Sequence, residues 1–145
     1  MRDNISNVQY VNLGSLTLSG VTPGLSGYLD TRGFDAASIV VVNGTITNAG
    51  TAEGFTVTLQ ESADTTGAAA VTATETVSGG TVTVTSDDAD NVVAGPGLGY
   101  AGNKRYIGVT VTGSTGTDAT ITLMGVLSKP SAAATTFAGA VVART

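Results

Sequence analysis

Between Gly54 and Ser62 the side chains alternate one for one: Phe55, Val57 and Leu59 take one set of positions, Thr56, Thr58 and Gln60 the other. A period of two is that of a β-strand, whose successive Cβ atoms point to opposite faces, and it does not fit the 3.6-residue period of an amphipathic helix. The pattern returns at 105–112, which groups Ile107, Val109 and Val111, at 119–127 with Ile121, Leu123 and Leu127, and at 81–85 with Val82 and Val84. Less regular strands are expected at 11–19, around Leu16 and Leu18, at 38–47 and at 70–78. That makes about seven or eight strands, with half-buried faces typical of antiparallel sheets.

Composition supports the same reading. Thr, Val, Ala and Gly fill 82 of the 145 positions. Branched Thr and Val lose rotamer freedom in a helix and fit a pleated surface, while Gly serves the turns. Turn chemistry stands at Thr22-Pro23-Gly24, Asn43-Gly44, Asn48-Ala49-Gly50, Ser78-Gly79-Gly80 and Gly113-Ser114-Thr115-Gly116. We expect an all-β, single-domain antiparallel β-sandwich, jelly-roll or immunoglobulin-like, because 145 residues suit one core and no helical period separates the strands. The sandwich is placed at 9–129, between an N-terminal arm at 1–8 and a C-terminal arm at 130–145, with Pro130 ending the last strand. The stretch 29–37 reads as an irregular link in which Asp30 caps a turn or pairs with Arg32, and 87–103 as a long loop. Within 38–47, the run Ile39-Val40-Val41-Val42 is an aggregation hazard that needs cover.

Much chemistry is excluded. With no His and no Cys, the chain has no imidazole base, thiolate nucleophile, disulfide or soft metal ligand. A net charge of −5 with six Lys and Arg gives no footprint for a phosphate backbone, so no nucleic-acid partner is expected. No apolar run approaches the roughly 20 residues of a membrane-spanning helix, and Met1-Arg2-Asp3-Asn4 does not open like a signal peptide, so synthesis in the cytoplasm without membrane association is expected.

Asp87-Asp88-Ala89-Asp90-Asn91 clusters oxygen donors, but without the alternating spacing, central Gly and distal Glu of a calcium loop, so it reads as a solvated turn and no metal is expected. Asp30, Asp35, Glu53, Glu61, Asp64 and Glu75 are scattered, and nothing pairs two of them across a cleft as glycoside hydrolysis requires. No catalytic residue and no cofactor is therefore assigned. In Gly102-Asn103-Lys104-Arg105-Tyr106 two cations adjoin just before a strand. Lys104, Arg105 and Tyr106 are read either as a patch that meets an acidic partner or as charges that guard an edge strand. In the C-terminal arm Phe137, Val141 and Val142 are the apolar candidates for contact with a neighbouring surface.

Three blocks carry a resemblance: 27–37 (Gly-Tyr-Leu-Asp-Thr-Arg-Gly-Phe-Asp-Ala-Ala), 55–62 (Phe-Thr-Val-Thr-Leu-Gln-Glu-Ser) and 100–110 (Tyr-Ala-Gly-Asn-Lys-Arg-Tyr-Ile-Gly-Val-Thr). In that order, with a final strand before Lys129-Pro130, the chain resembles small structural proteins of tailed-bacteriophage heads, and among them the capsid decoration or cement proteins. The short N-terminal capsid-binding motif of the best-known members has no counterpart here. The resemblance implies a non-enzymatic virion component on the capsid exterior, made in the host cytoplasm. It would bridge subunits of the major capsid protein as a homotrimer, with a dimer as the alternative. A head-to-tail connector or tail-tube component is the nearest rival, and an extracellular adhesive or carbohydrate-binding module is a third reading.

Overall fold

The computed structural model describes residues 7–49, 54–66, 70–77, 79–85, 93–94 and 97–130. Residues 1–6 and 131–145 of the expected arms, with Phe137, Val141 and Val142, lie outside the described residues, as do Glu53 and the 87–91 cluster.

Every strand pairing is antiparallel, and two sheets pack together as a single-domain sandwich with no helix among the described residues. Sheet A runs in the order β1 (Val8–Ser19), β11 (Asp118–Pro130), β4 (Phe34–Asn48), β9 (Leu98–Tyr100) and β7 (Thr76–Val77). Sheet B is centred on β10 (Tyr106–Thr112) and β5 (Phe55–Ser62). The short strands β2 (Gly24–Leu25) and β3 (Leu29–Asp30) flank β10, and β6 (Val71–Thr72) and β8 (Thr81–Val84) flank β5.

The strictly alternating segments form strands because one face of each has a core to meet. Phe55, Val57, Leu59, Ile107, Val109 and Val111 of sheet B face Ile39, Val41, Leu98, Ile121 and Leu123 of sheet A, and none is more than 2% exposed. Burying each such side chain contributes about 1.5–3 kcal/mol relative to leaving it in water. Gln60, expected on the solvent face, is buried, because β6 pairs alongside and its amide nitrogen donates to Thr72 Oγ1 at 3.4 Å.

Eleven described strands exceed the expected seven or eight, and the excess is the short strands β2, β3 and β9 together with the division of one expected strand in two. The segment 70–78 divides into β6 and β7, which join opposite sheets. The link 29–37 is irregular only at Thr31–Gly33, since β3 precedes it and β4 begins at Phe34. Leu98–Tyr100, expected within a loop, is β9.

β1 changes phase halfway. Its pairing with β11 passes from Asn12↔Met124 to Gly14↔Leu123, leaving Leu13 as an extra residue. Gly14 sits at φ 97, which a side chain would strain, and its N–H donates to Asn12 Oδ1 at 2.8 Å. The bulge lets Leu13 and Leu18 both face inward although they lie five residues apart, and both are buried.

The two outer faces differ. Sheet B shows threonines: Thr56 pairs with Thr83, their hydroxyls 3.4 Å apart, and Thr58 pairs with Thr81. Sheet A shows mixed cross-strand rows, apolar side chains beside Ser, Thr and Asn. One runs Tyr10↔Val126↔Ser38↔Gly99↔Val77, spanning all five strands. The next pairs Asn12, Met124 and Val40, and a third runs Ser15, Thr122, Val42 and Val93. β4 is interior to its sheet, so the hazard of 39–42 is not an exposed edge: Ile39 and Val41 are buried in the core, while Val40 and Val42 are half-buried on the outer face.

Candidate functional site

The strand ends near Tyr106 collect nearly all the charged side chains among the described residues. Short connections bring Asp30, the Thr31–Gly33 turn and the 101–105 loop to the start of β10, where Tyr106 pairs with Asp30 on one side and Ser62 on the other. Thr31 ties the turn to the loop, since its N–H and its hydroxyl both donate to the Arg105 carbonyl, at 2.8 and 2.9 Å.

Asp30 accepts from Arg105 through both oxygens, Nε to Oδ1 at 3.0 Å and Nη2 to Oδ2 at 2.7 Å, and it caps the turn by accepting the Arg32 N–H at 3.0 Å. Of the two roles expected for Asp30, the cap forms, while the paired guanidinium is that of Arg105 and not Arg32. The Arg105 hydrogen bonds hold the Asp30 carboxyl below its usual range, against a smaller opposing effect of burial. The same guanidinium lies 4.9 Å from the centroid of the Tyr106 ring, within cation–π range.

Tyr100 closes the adjoining end of the core. Its hydroxyl donates to Glu61 Oε2 at 2.8 Å, from β9 in sheet A to β5 in sheet B, and accepts the Lys104 N–H at 2.8 Å. Burial first, and then the bond to Glu61, push the phenol up to about 12, so at neutral pH it is a donor and not a base. Gly102 has no Cβ because one there would run into the Tyr100 phenol.

Lys104, Arg105 and Tyr106 thus come out unequal. Lys104 is exposed, Arg105 is paired, and Tyr106 is 7% exposed on the face of β10 away from Ile107 and Val109, where its ring lies under the Arg105 guanidinium. The edge-guard reading fails because β10 is an interior strand, bordered by β5 on one side and by β2 and β3 on the other. Among the described residues, Arg32, Lys104, Arg105 and Lys129 stand at this end with Asp30, Asp35, Glu61, Asp64 and Glu75, leaving Asp118 alone at the opposite end. No group of three such carboxylates among them is arranged to hold a cation. A recess of about 80 Å³ is lined by Thr31, Phe34, Asp35, Ala37, Tyr100 and Gly102. It is well below the roughly 300 Å³ at which small-molecule sites begin.

Sequence reasoning missed the Asp30–Arg105 and Tyr100–Glu61 partnerships. Their members are 75 and 39 residues apart, and only strand register brings them together. Comparison of the chain with protein-family models, curated proteins and solved structures finds no match in any of the three.

Proposed function

We propose that the protein is a non-enzymatic structural component of a tailed-phage virion, a decoration or cement protein that binds the capsid exterior as a homo-oligomer and bridges major capsid subunits. The observation that carries the reading is the convergence of the three resembling blocks. Segments 27–37, 55–62 and 100–110 supply β3, β5 and β10, adjacent strands of one sheet, and the Asp30–Arg105 and Glu61–Tyr100 pairs join them. Residues far apart in sequence therefore form one structural unit, as a shared fold element would. A cement role also asks for no reaction: the protein stabilises a shell by binding its assembled state, with many weak contacts acting together. A small sandwich with no assembled catalytic group among its described residues suits that task. Exposed Lys104 remains the candidate contact from the charged end.

The test is quantitative gel densitometry of purified virions, with heat challenge of capsids bearing and lacking the protein. A copy number comparable to the major capsid protein, and shells that open at lower temperature without it, are expected. Absence from virions, or equal heat resistance, overturns the reading; a copy number matching only a portal ring marks a connector instead.

A further inference from the structure

Most strands at the margins of the two sheets are short. β7 closes sheet A with two residues, and β2, β3, β6 and β8 border sheet B with two to four. Short margins are one way in which a sheet avoids pairing with foreign strands. β1 is the exception: it closes the other margin of sheet A with 12 residues, Val8–Ser19, and carries no charged residue and no proline. No described strand pairs along its outer edge. Its core-facing side chains are under-covered there, since Val11 and Leu16 are only half-buried, while Ile121 and Leu123, one strand further in, are fully buried.

Two observations point to the occupant. The first is reach. The chain continues for 15 residues past Pro130, and β11 ends beside the start of β1, where Ser128 pairs with Val8. Carrying the chain from β11 to the far side of β1 takes two strand spacings, about 10 Å, which about three extended residues span. The remainder, from Ala134 to Thr145, then equals β1 in length. The second is pattern. With Ala134 beside Val8, Phe137 would fall beside Val11; the extra residue at Leu13 shortens the offset by one, so Val141 would fall beside Leu16 and Val142 beside Thr17. A period of two would then turn Phe137 and Val141 to the core side, against the half-buried pair, and Arg144, the segment's one charged side chain, to solvent. A slip of one residue would reverse both.

We propose that residues 134–145 of this chain form a further strand on the open edge of β1, parallel to it, and so complete sheet A. Main-chain hydrogen bonds along β1 hold the segment, together with burial of Phe137 against Val11 and of Val141 against Leu16. The long edge is then covered by its own chain and is not offered to another. Of the apolar candidates in this segment, Val142 alone stays turned outward. The inference does not depend on the virion reading.

The experiment is backbone hydrogen exchange on the full chain. Amides within 8–19 are expected to exchange at least about tenfold faster in Phe137→Asp than in the wild type, with exchange within 55–62 unchanged. If both regions accelerate, Phe137→Asp has loosened the whole fold, and cross-linking then decides. The chain has no cysteine of its own, so a short bis-maleimide should close a link within one molecule carrying Thr17→Cys and Val142→Cys, and should close none in a molecule carrying Thr83→Cys and Val142→Cys. Unchanged exchange within 8–19, or no link between positions 17 and 142, overturns the proposal. So does a link that joins two molecules, which would show a second copy's segment on the edge.

Discussion

The outer faces of the two sheets use side chains of almost the same shape, with different chemistry at the tip. On sheet B the outward positions hold Thr56, Thr58, Thr81, Thr83 and Thr110 beside Leu25 and Tyr106, whereas on sheet A Val40, Val42, Val126, Met124 and Tyr10 alternate with Asn12, Ser15, Ser38, Thr120 and Thr122. Thr and Val both carry the branched Cβ that suits a pleated strand, so local conformational preference is met on either face. What differs is how much apolar surface each face leaves in water. In a chain so dominated by these two residues, the choice between a hydroxyl and a methyl sets that amount position by position.

That comparison can be broken at several points. The largest effect belongs to the core that both sheets share: Leu59→Ala should cost about 2–5 kcal/mol in a denaturant titration, since Leu59 is fully buried. An inward methyl-to-hydroxyl exchange comes next. Val109→Thr places a hydroxyl in the core at a position 2% exposed and should cost about 1–3 kcal/mol. Tyr100→Phe should cost about 1–2 kcal/mol in thermal unfolding, because the Glu61 carboxylate and the Lys104 N–H lose the hydroxyl that links the sheets at the charged end. If it cost nothing, the sheets would be joined by apolar packing alone.

On the acid side, the pH response at that end should include Asp30. The folded Asp30 carboxyl is held below its ordinary value of 3.8, so its stabilising contribution is complete above about pH 4 and is lost as pH falls through the lower folded value. The stability difference between wild type and Asp30→Asn, read by thermal melts from pH 7 to pH 2, should therefore shrink toward zero at the acid end. A difference constant across that range would mean that Asp30 carries no such charge-dependent bond. The smallest effect on folding belongs to the outer faces themselves: Val42→Thr and Thr58→Val should each shift stability by no more than about 0.5 kcal/mol.

The long strands were legible in the sequence because alternation over seven or more residues leaves one reading. β5, β10 and β11 fall close to their expected places, and the phase of Phe55, Val57 and Leu59 is the phase of burial. The two-residue strands β2 and β3 have no periodicity to read, and β9 is hidden among glycines; each exists because a neighbouring long strand offers unpaired backbone groups. The charged patch at Lys104-Arg105-Tyr106 was visible as a pair of cations, but its partition was not. Whether Arg105 faces a partner or Asp30 depends on which residue stands opposite Tyr106, and that is fixed by register across three strands. The contrast between the outer faces was half visible, since Val40 and Val42 interrupt the apolar-polar alternation that β5 keeps.

The bulge at Leu13 gives β1 something like a reading frame. Upstream of it Tyr10 points out, and downstream Leu18 points in. Deleting that one residue would merge the two frames into a regular alternation, Asn12 out and Gly14 in, with each half of the strand keeping its face. A loss of two residues there would set the halves out of phase and force one of them to turn over, exchanging its core-facing set for its outer-facing set. A single deletion at the bulge should accordingly be less damaging than a double one, a rule that no side-chain substitution at the same positions would obey.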